Sequence, residues 1–140
     1  MKLFNRLVYL RKWRLAREIL ALYGVEIPAD VQIGADFQLI HRGFGTVIHP
    51  TTRIGDRVRI YHNVTIGRAD AHLPAEQTKM QHVEIGDDAV LFPGSVVLGG
   101  PGITRLGKGT ILAANAVLIQ STGENEVWAG VPARRVSTRR

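Results

Sequence analysis

Aliphatic residues return at a fixed step of six along most of this chain. The step runs through Ile27, Ile33 and Leu39, then Ile48, Ile54, Ile60 and Ile66, then Ile85, Leu91 and Val97, then Leu106, Leu112 and Leu118. Glycine often follows, as in Ile33-Gly34, Ile54-Gly55, Ile66-Gly67, Ile85-Gly86 and Leu106-Gly107. A second small or aliphatic residue stands four positions on, at Val31, Phe37, Val58, Val64, Ala89, Ser95, Thr110 and Ala116. A period of six matches neither the 3.6 of a helix nor plain strand alternation. It suits a coil with three flat faces, each face one short strand and each corner a tight turn, with the aliphatic side chains stacked inside. Three hexapeptides make ~18 residues per coil, so Ile27 to Ser121 gives about five coils of an all-β solenoid. A β-sandwich would need turn signals at every 8–12 residues, which the fixed step does not supply.

Two stretches interrupt the step. Residues 68–82 read as a loop insertion leaving the coil, and Gly99-Gly-Pro-Gly-Ile-Thr104 adds three residues. Insertions in a solenoid tend to mark its functional side. Before the coils, Leu3, Leu7, Leu15, Ile19 and Leu22 follow helical spacing, with Arg11, Arg14 and Glu18 intruding on the stripe. That spacing predicts a short N-terminal α-helix within residues 1–23, capping the open end of the solenoid. Residues 24–140 then form the β-helix domain and its C-terminal tail. The alternative role for residues 2–22 is peripheral contact with an anionic membrane.

Length and composition narrow the field. A chain of 140 residues suits one domain. The absence of cysteine removes disulfides, thiolate metal sites and a cysteine nucleophile. No apolar run approaches the ~20 residues of a membrane span, and no signal peptide is recognisable, so a cytoplasmic location is expected. The net charge of +6 is confined to the ends. Residues 1–23 hold six basic residues against one acid and the tail holds Arg134, Arg135, Arg139 and Arg140, whereas residues 24–133 carry eight basic and eleven acidic side chains. Without aromatic–basic interleaving in the body, no nucleic-acid partner is expected.

The repeat, together with the closing Ala129-Gly-Val-Pro-Ala-Arg-Arg-Val136, resembles the hexapeptide-repeat acyltransferases. Within that superfamily, Gly34-Ala-Asp-Phe-Gln-Leu-Ile-His-Arg-Gly-Phe-Gly-Thr-Val-Ile-His-Pro50 and Ile60-Tyr-His-Asn-Val-Thr-Ile-Gly67 look like the serine acetyltransferase branch, which includes O-acetyltransferases of surface polysaccharides. The resemblance implies a left-handed parallel β-helix, a homotrimer, and acetyl-CoA as co-substrate bound between neighbouring subunits, with no metal. His41 matches the branch's catalytic His, and His82 its second active-site His. Gly67, Gly94 and Ala114 stand where the family's coils pass the pantetheine arm. Arg134 and Arg135 stand where its C-terminal segment approaches the nucleotide. His72 is a rival base, because galactoside and maltose acetyltransferases, which this chain also resembles, carry their catalytic His on such an inserted loop. His49 and His62 are expected to be surface or interface residues.

The chain also departs from that branch. Serine acetyltransferases have an acid directly before the catalytic His, where this chain has Ile40, and a large helical N-terminal domain that supplies another acidic contact. Gln81 replaces the basic residue before the second His. A site for the serine ammonium has lost two carboxylates, so the expected acceptor is a sugar hydroxyl in surface-polysaccharide or lipid-linked glycan assembly. The alternatives are serine or another small molecule, and a non-catalytic trimeric scaffold.

The expected chemistry is direct transfer. An imidazole of ordinary pKa, ~6.5, can take the proton of an attacking alcohol, an effect of roughly 10²–10⁴-fold. Backbone N–H groups of a rigid coil can hold the oxyanion. Ser95 is an inward repeat position and no Gly-x-Ser-x-Gly elbow exists, so no acyl-enzyme is expected. The histidines lack helix i, i+4 spacing, which gives no ligand set for a metal. Gly99-Gly-Pro-Gly102 has no strand–loop–helix context and is not a phosphate loop.

Overall fold

The computed structural model describes residues 2–140. The first coil holds β1 (Gln32–Ile33), β2 (Gln38–Leu39) and β3 (Val47–Ile48). The second holds β4 (Arg53–Ile54), β5 (Arg59–Ile60) and β6 (Thr65–Arg68), and the third β7 (Met80–Ile85), β8 (Val90–Leu91) and β9 (Val96–Gly99). Then come β10 (Gly102–Leu106), β11 (Ile111–Leu112) and β12 (Val117–Leu118), and finally β13 (Glu126–Ala129) and β14 (Arg134–Thr138). The strands stack into three sheets, β1-β4-β7-β10, β2-β5-β8-β11-β13-β14 and β3-β6-β9-β12, parallel throughout except for the closing β13–β14 pair. The result is a left-handed parallel β-helix of triangular section. Inside, the step of six becomes vertical columns: Leu39, Ile60, Leu91 and Leu112 stack in register and are fully buried. Burial of each such side chain contributes roughly 1.5–3 kcal/mol.

Two of the three corners turn through a left-handed residue three positions after the inward aliphatic. One corner uses Asp36, Arg57, Asp88 and Gly109; the next uses Asn63, Gly94 and Asn115. Asn and Asp tolerate this region best among side-chain-bearing residues. Arg57 is an exception with a visible compensation, since its guanidinium forks onto Asp88 at 2.7 and 3.0 Å. At Gly94 a Cβ would stand 2.1 Å from Asn115 Oδ1, so glycine there makes room for that side chain.

Two short helices precede the coils where the spacing predicts one: α1 (Lys2–Tyr9) and α2 (Arg14–Leu22). Of the predicted stripe, Leu3, Leu15 and Leu22 are exposed, while Leu7 packs partly against the core. Phe4 and Val8 of α1 and Ala16 and Leu20 of α2 are the buried positions. No Gly or Pro breaks the helix; arginines do. Arg11 is 7% exposed and its guanidinium donates to the carbonyls of Val8 (2.8 Å), Pro28 (3.1 Å) and Val31. Arg17 donates to the carbonyls of Arg11 and Lys12 at 2.7 and 3.1 Å. These contacts satisfy the orphan carbonyls at the end of α1 and hold the chain extended at Trp13. The same segment covers the open edge of the first coil. Tyr9 Oη donates to Gly34 O and accepts from Phe37 N–H, and Asn5 Oδ1 accepts from Leu39 N–H. An edge that would otherwise offer unpaired strand groups is closed by side chains.

The inserted loop is shorter than residues 68–82. Arg68 belongs to β6, and Met80 to His82 belong to β7, leaving residues 69–79 outside the coil. Their excursion is held by Thr78 Oγ1 donating to Asp70 (2.8 Å) and Arg68 Nη2 to Leu73 O (2.9 Å). The second interruption reduces to residues 100–101 and joins the first, with Gly102 N–H donating to Lys79 O at 2.8 Å.

Candidate functional site

The step from Leu39 to Ile48 is nine, not six, and the three extra residues are His41, Arg42 and Gly43. They bulge from the corner between the second and third sheets. On either side of them Ile40 keeps the level of Tyr61, and Phe44 O accepts from Asn63 N–H. All three take positive φ, at 53°, 58° and 61°. Consecutive left-handed residues with side chains are costly, and such strain gathers at functional positions. Gly43 makes the bulge possible, since a Cβ there would lie 2.7 Å from Leu39 Cδ2. His41 is thereby presented to solvent. Its ring lies 5.6 Å from that of His62 and 6.1 Å from Tyr61, and Tyr61 stacks on Phe92 at 5.1 Å. His62 Nδ1 is buried without a hydrogen-bond partner, leaving spare bonding capacity beside His41.

Above this aromatic wall the same corner becomes small. Ala113 and Ala114 follow Phe92 and Pro93, and then Ala129 and Gly130. Arg134 pairs with Ala129 at the top of this column, so His41, Gly94, Ala114 and Arg134 share one edge of the prism. Five strand spacings of ~4.8 Å put Arg134 ~24 Å along that edge from the His41 level. Gly67 lies on the neighbouring third sheet beside Leu98 and is open outward, its Cβ position meeting only Thr65 Cγ2 at 4.0 Å. Arg135 is turned to Glu126, 3.5 Å away, whereas Arg134 bonds only its neighbour's carbonyl. The tail is therefore a folded strand, pinned further by Arg139 Nη1 donating to Asp88 O and Gly109 O at 2.7 and 3.0 Å.

His82 lies elsewhere. It sits on the outer face of β7 in the first sheet, so within one chain it and His41 occupy different edges of the prism. Its Nε2 bonds Glu84 Oε1 at 2.8 Å, and Arg105 Nε donates to Glu84 Oε2 at 2.7 Å. The carboxylate accepts from both, which leaves Nδ1 as the free nitrogen of a largely covered ring. Among the described residues no carboxylate bonds His41; the carboxylate-oriented imidazole is His82. Sequence reasoning passed over Glu84 and Arg105, although positions 82 and 84 share one strand face and so signalled the pair. His72 is an exposed loop residue. His49 bonds Thr51 at 2.9 Å in its turn, and burial beside Arg68 pushes its pKa down. Among the described residues no cluster of three His, Asp or Glu side chains converges as a metal site.

The bond from His82, then that from Arg105, holds the Glu84 carboxyl below the usual carboxylate range. A depressed folded-state pKa stabilises above the unfolded value, and that contribution fades as pH falls through the folded one. Glu84→Gln should therefore lie below wild type in melting temperature at neutral pH and converge with it in acid. Parallel curves across that range would mean that the pair adds no stability.

No protein-family model matches the chain. Serine acetyltransferase 4 of Arabidopsis thaliana is 32% identical over 133 residues, covering 89% of this chain and 35% of that protein. The serine acetyltransferase of Bacillus pumilus (strain SAFR-032) is 35% identical over 113 residues, 81% of this chain and 48% of that one. Both of these relatives are serine acetyltransferases. The solved structures agree: soybean serine acetyltransferase superposes with a TM-score of 0.74 at 27% identity, over 86% of this chain and 47% of the other. A serine acetyltransferase complex with CoA gives 0.69 at 28%, over 95% and 54%. The chain spans about half the length of these relatives or less. None of them is named for a polysaccharide or other sugar acceptor, so they lend no support to the acceptor expected from the sequence.

Proposed function

We propose that the chain is an acetyl-CoA-dependent O-acetyltransferase of the serine acetyltransferase type. The observation that carries this reading is the His41 bulge, set at the foot of an edge whose small residues lead up to Arg134. Acetyl-CoA supplies the activated acetyl group. His41 takes the proton of the acceptor hydroxyl as its oxygen bonds the acetyl carbonyl carbon, and backbone N–H groups of the corner stabilise the oxyanion. The C–S bond then breaks as the departing CoA thiolate takes the proton back from His41. Gly67 and Ala114 leave room for the pantetheine arm, and Arg134 meets the phosphates.

His82, oriented by Glu84, serves the acceptor from the neighbouring subunit of a homotrimer, which unites the two edges that one chain keeps apart. Sedimentation should give a mass of about three times 15.4 kDa. A monomer would remove the shared site. Arg134→Ala should weaken CoA binding by roughly tenfold or more in calorimetry. Arg135→Ala should weaken it less, because Glu126 already holds that guanidinium.

Serine is the acceptor favoured by the relatives. A second reading, a sugar hydroxyl, is supported by Ile40, an apolar neighbour of His41 where an ammonium would want a carboxylate. Thiol release from acetyl-CoA, measured with L-serine and with free and lipid-linked sugars, separates the two. Turnover with serine supports the first reading and turnover with sugars alone the second. No turnover and no CoA binding would leave a trimeric scaffold.

A further inference from the structure

The two N-terminal helices are apolar on two sides. One side, Phe4, Val8, Ala16 and Leu20, closes the coil. The other has no partner within the chain: Leu3 is 78% exposed, Leu10 50%, Leu15 72% and Leu22 85%, with Trp13 72% exposed between the helices. Positions 3 and 7 share one face of α1 and lead to Leu10 just past its end, and positions 15, 19 and 22 share one face of α2. The faces merge, since Leu7, Leu10, Leu15 and Ile19 line a common cleft of about 260 Å³. A broader groove of about 740 Å³ continues past Leu3 and Tyr23 to Arg42, in the His41 bulge. An apolar surface of this extent marks an interaction face.

Its rim is cationic. Lys2, Arg6, Lys12 and Arg14 are exposed around it, and Glu18, 4.0 Å from Arg14, is the one acid of the segment. We propose that this face docks on an anionic phospholipid bilayer. Leu3, Leu10, Trp13, Leu15 and Leu22 enter the boundary between headgroups and acyl chains, and the cations meet the headgroup phosphates. Charge decides the occupant, because a second copy would press one cationic rim against another, whereas an acidic leaflet neutralises it. The segment lies on the surface and does not cross. Helices of eight and nine residues are only ~12–14 Å long against a hydrocarbon core of ~30 Å. Docking would bring the His41 end of the prism to the membrane, whichever acceptor it serves.

The test is sedimentation of the full chain with vesicles of phosphatidylcholine alone and of phosphatidylcholine mixed with phosphatidylglycerol. Binding is expected to the mixed vesicles and not to the neutral ones, and to weaken as salt rises. Lys12→Glu with Arg14→Glu should reduce it at least tenfold. Leu10→Ser with Leu15→Ser should abolish it at unchanged melting temperature, since both side chains are open to solvent. Trp13 gives a second readout: its emission should shift to the blue on binding, while the buried Trp128 stays constant. Failure to bind mixed vesicles overturns the proposal, as does full binding by the charge variant. If the leucine variant changes the mass of the assembly but not vesicle binding, the occupant is a second copy and the proposal falls.

Discussion

Replacing His41 with alanine is expected to lower turnover by about 10² or more while leaving CoA affinity and melting temperature nearly unchanged. The expectation follows from where the side chain stands. It projects from a bulge into solvent, belongs to no inward column, and makes no contact that the fold needs. What its removal costs is proton acceptance from the acceptor hydroxyl. His82→Ala should behave differently, raising the acceptor KM more than it lowers kcat, because that ring is held by Glu84 and Arg105 in a fixed direction. Glu84→Gln should move KM the same way by a smaller factor if orientation is the carboxylate's role. His72→Ala should change little, since the side chain stands exposed on a loop. Thiol release by the variants ranks them. Loss of activity in His72→Ala with His41→Ala above half the wild-type rate would move the base to the loop.

The solenoid was readable in the sequence because its core is a strict one-dimensional pattern. Each Ile or Leu at the step of six has one place to go, and burial at Leu39, Ile60, Leu91 and Leu112 enforces it. The left-handed corners were half readable, as Asp36, Asp88, Asn63 and Asn115 announce them and Arg57 does not. The bulge carrying His41 is a third break in the step, between Leu39 and Ile48, that the sequence reading passed over, and its three positive φ values belong to a backbone path that residue spacing does not encode. Gly94 is a similar case. The resemblance assigns it to the cofactor, and the structure adds its close approach to Asn115, which the sequence does not announce. Contacts distant in sequence escaped altogether. Glu84 with Arg105, Arg135 with Glu126 and Arg139 with Asp88 and Gly109 need the coils stacked before their partners exist. The helices failed for a related reason. Their two apolar stripes are of similar strength, and hydrophobic spacing alone does not say which one meets the coil.

Arg11→Ala is expected to destabilise the protein by roughly 2–3 kcal/mol, the scale of losing the hydrogen bonds of a buried charged donor to backbone carbonyls. In the sequence Arg11 looked like a polar intruder on an apolar stripe; in the fold it is the tie between the helices and the first coil. Removing it leaves the carbonyls of Val8, Pro28 and Val31 without that donor. Burial pushes its pKa down, which marks the desolvation that these bonds must offset. Arg11→Lys should recover only part of the loss, because one ammonium cannot reproduce a planar fork reaching three carbonyls. Arg11→Met, which keeps much of the volume, should be as harmful as alanine if hydrogen bonding is what matters and milder if packing is. The damage should also be local at first. Once the helices loosen, the backbone groups now bonded by Tyr9 and Asn5 lose their partners, and the edge of β1 and β2 becomes open to pairing with other chains. Amide exchange should accordingly rise first at Phe37 and Leu39, ahead of the buried column at Leu91 and Leu112. Uniform acceleration along all the coils would instead mean that the helices and the solenoid unfold as one unit.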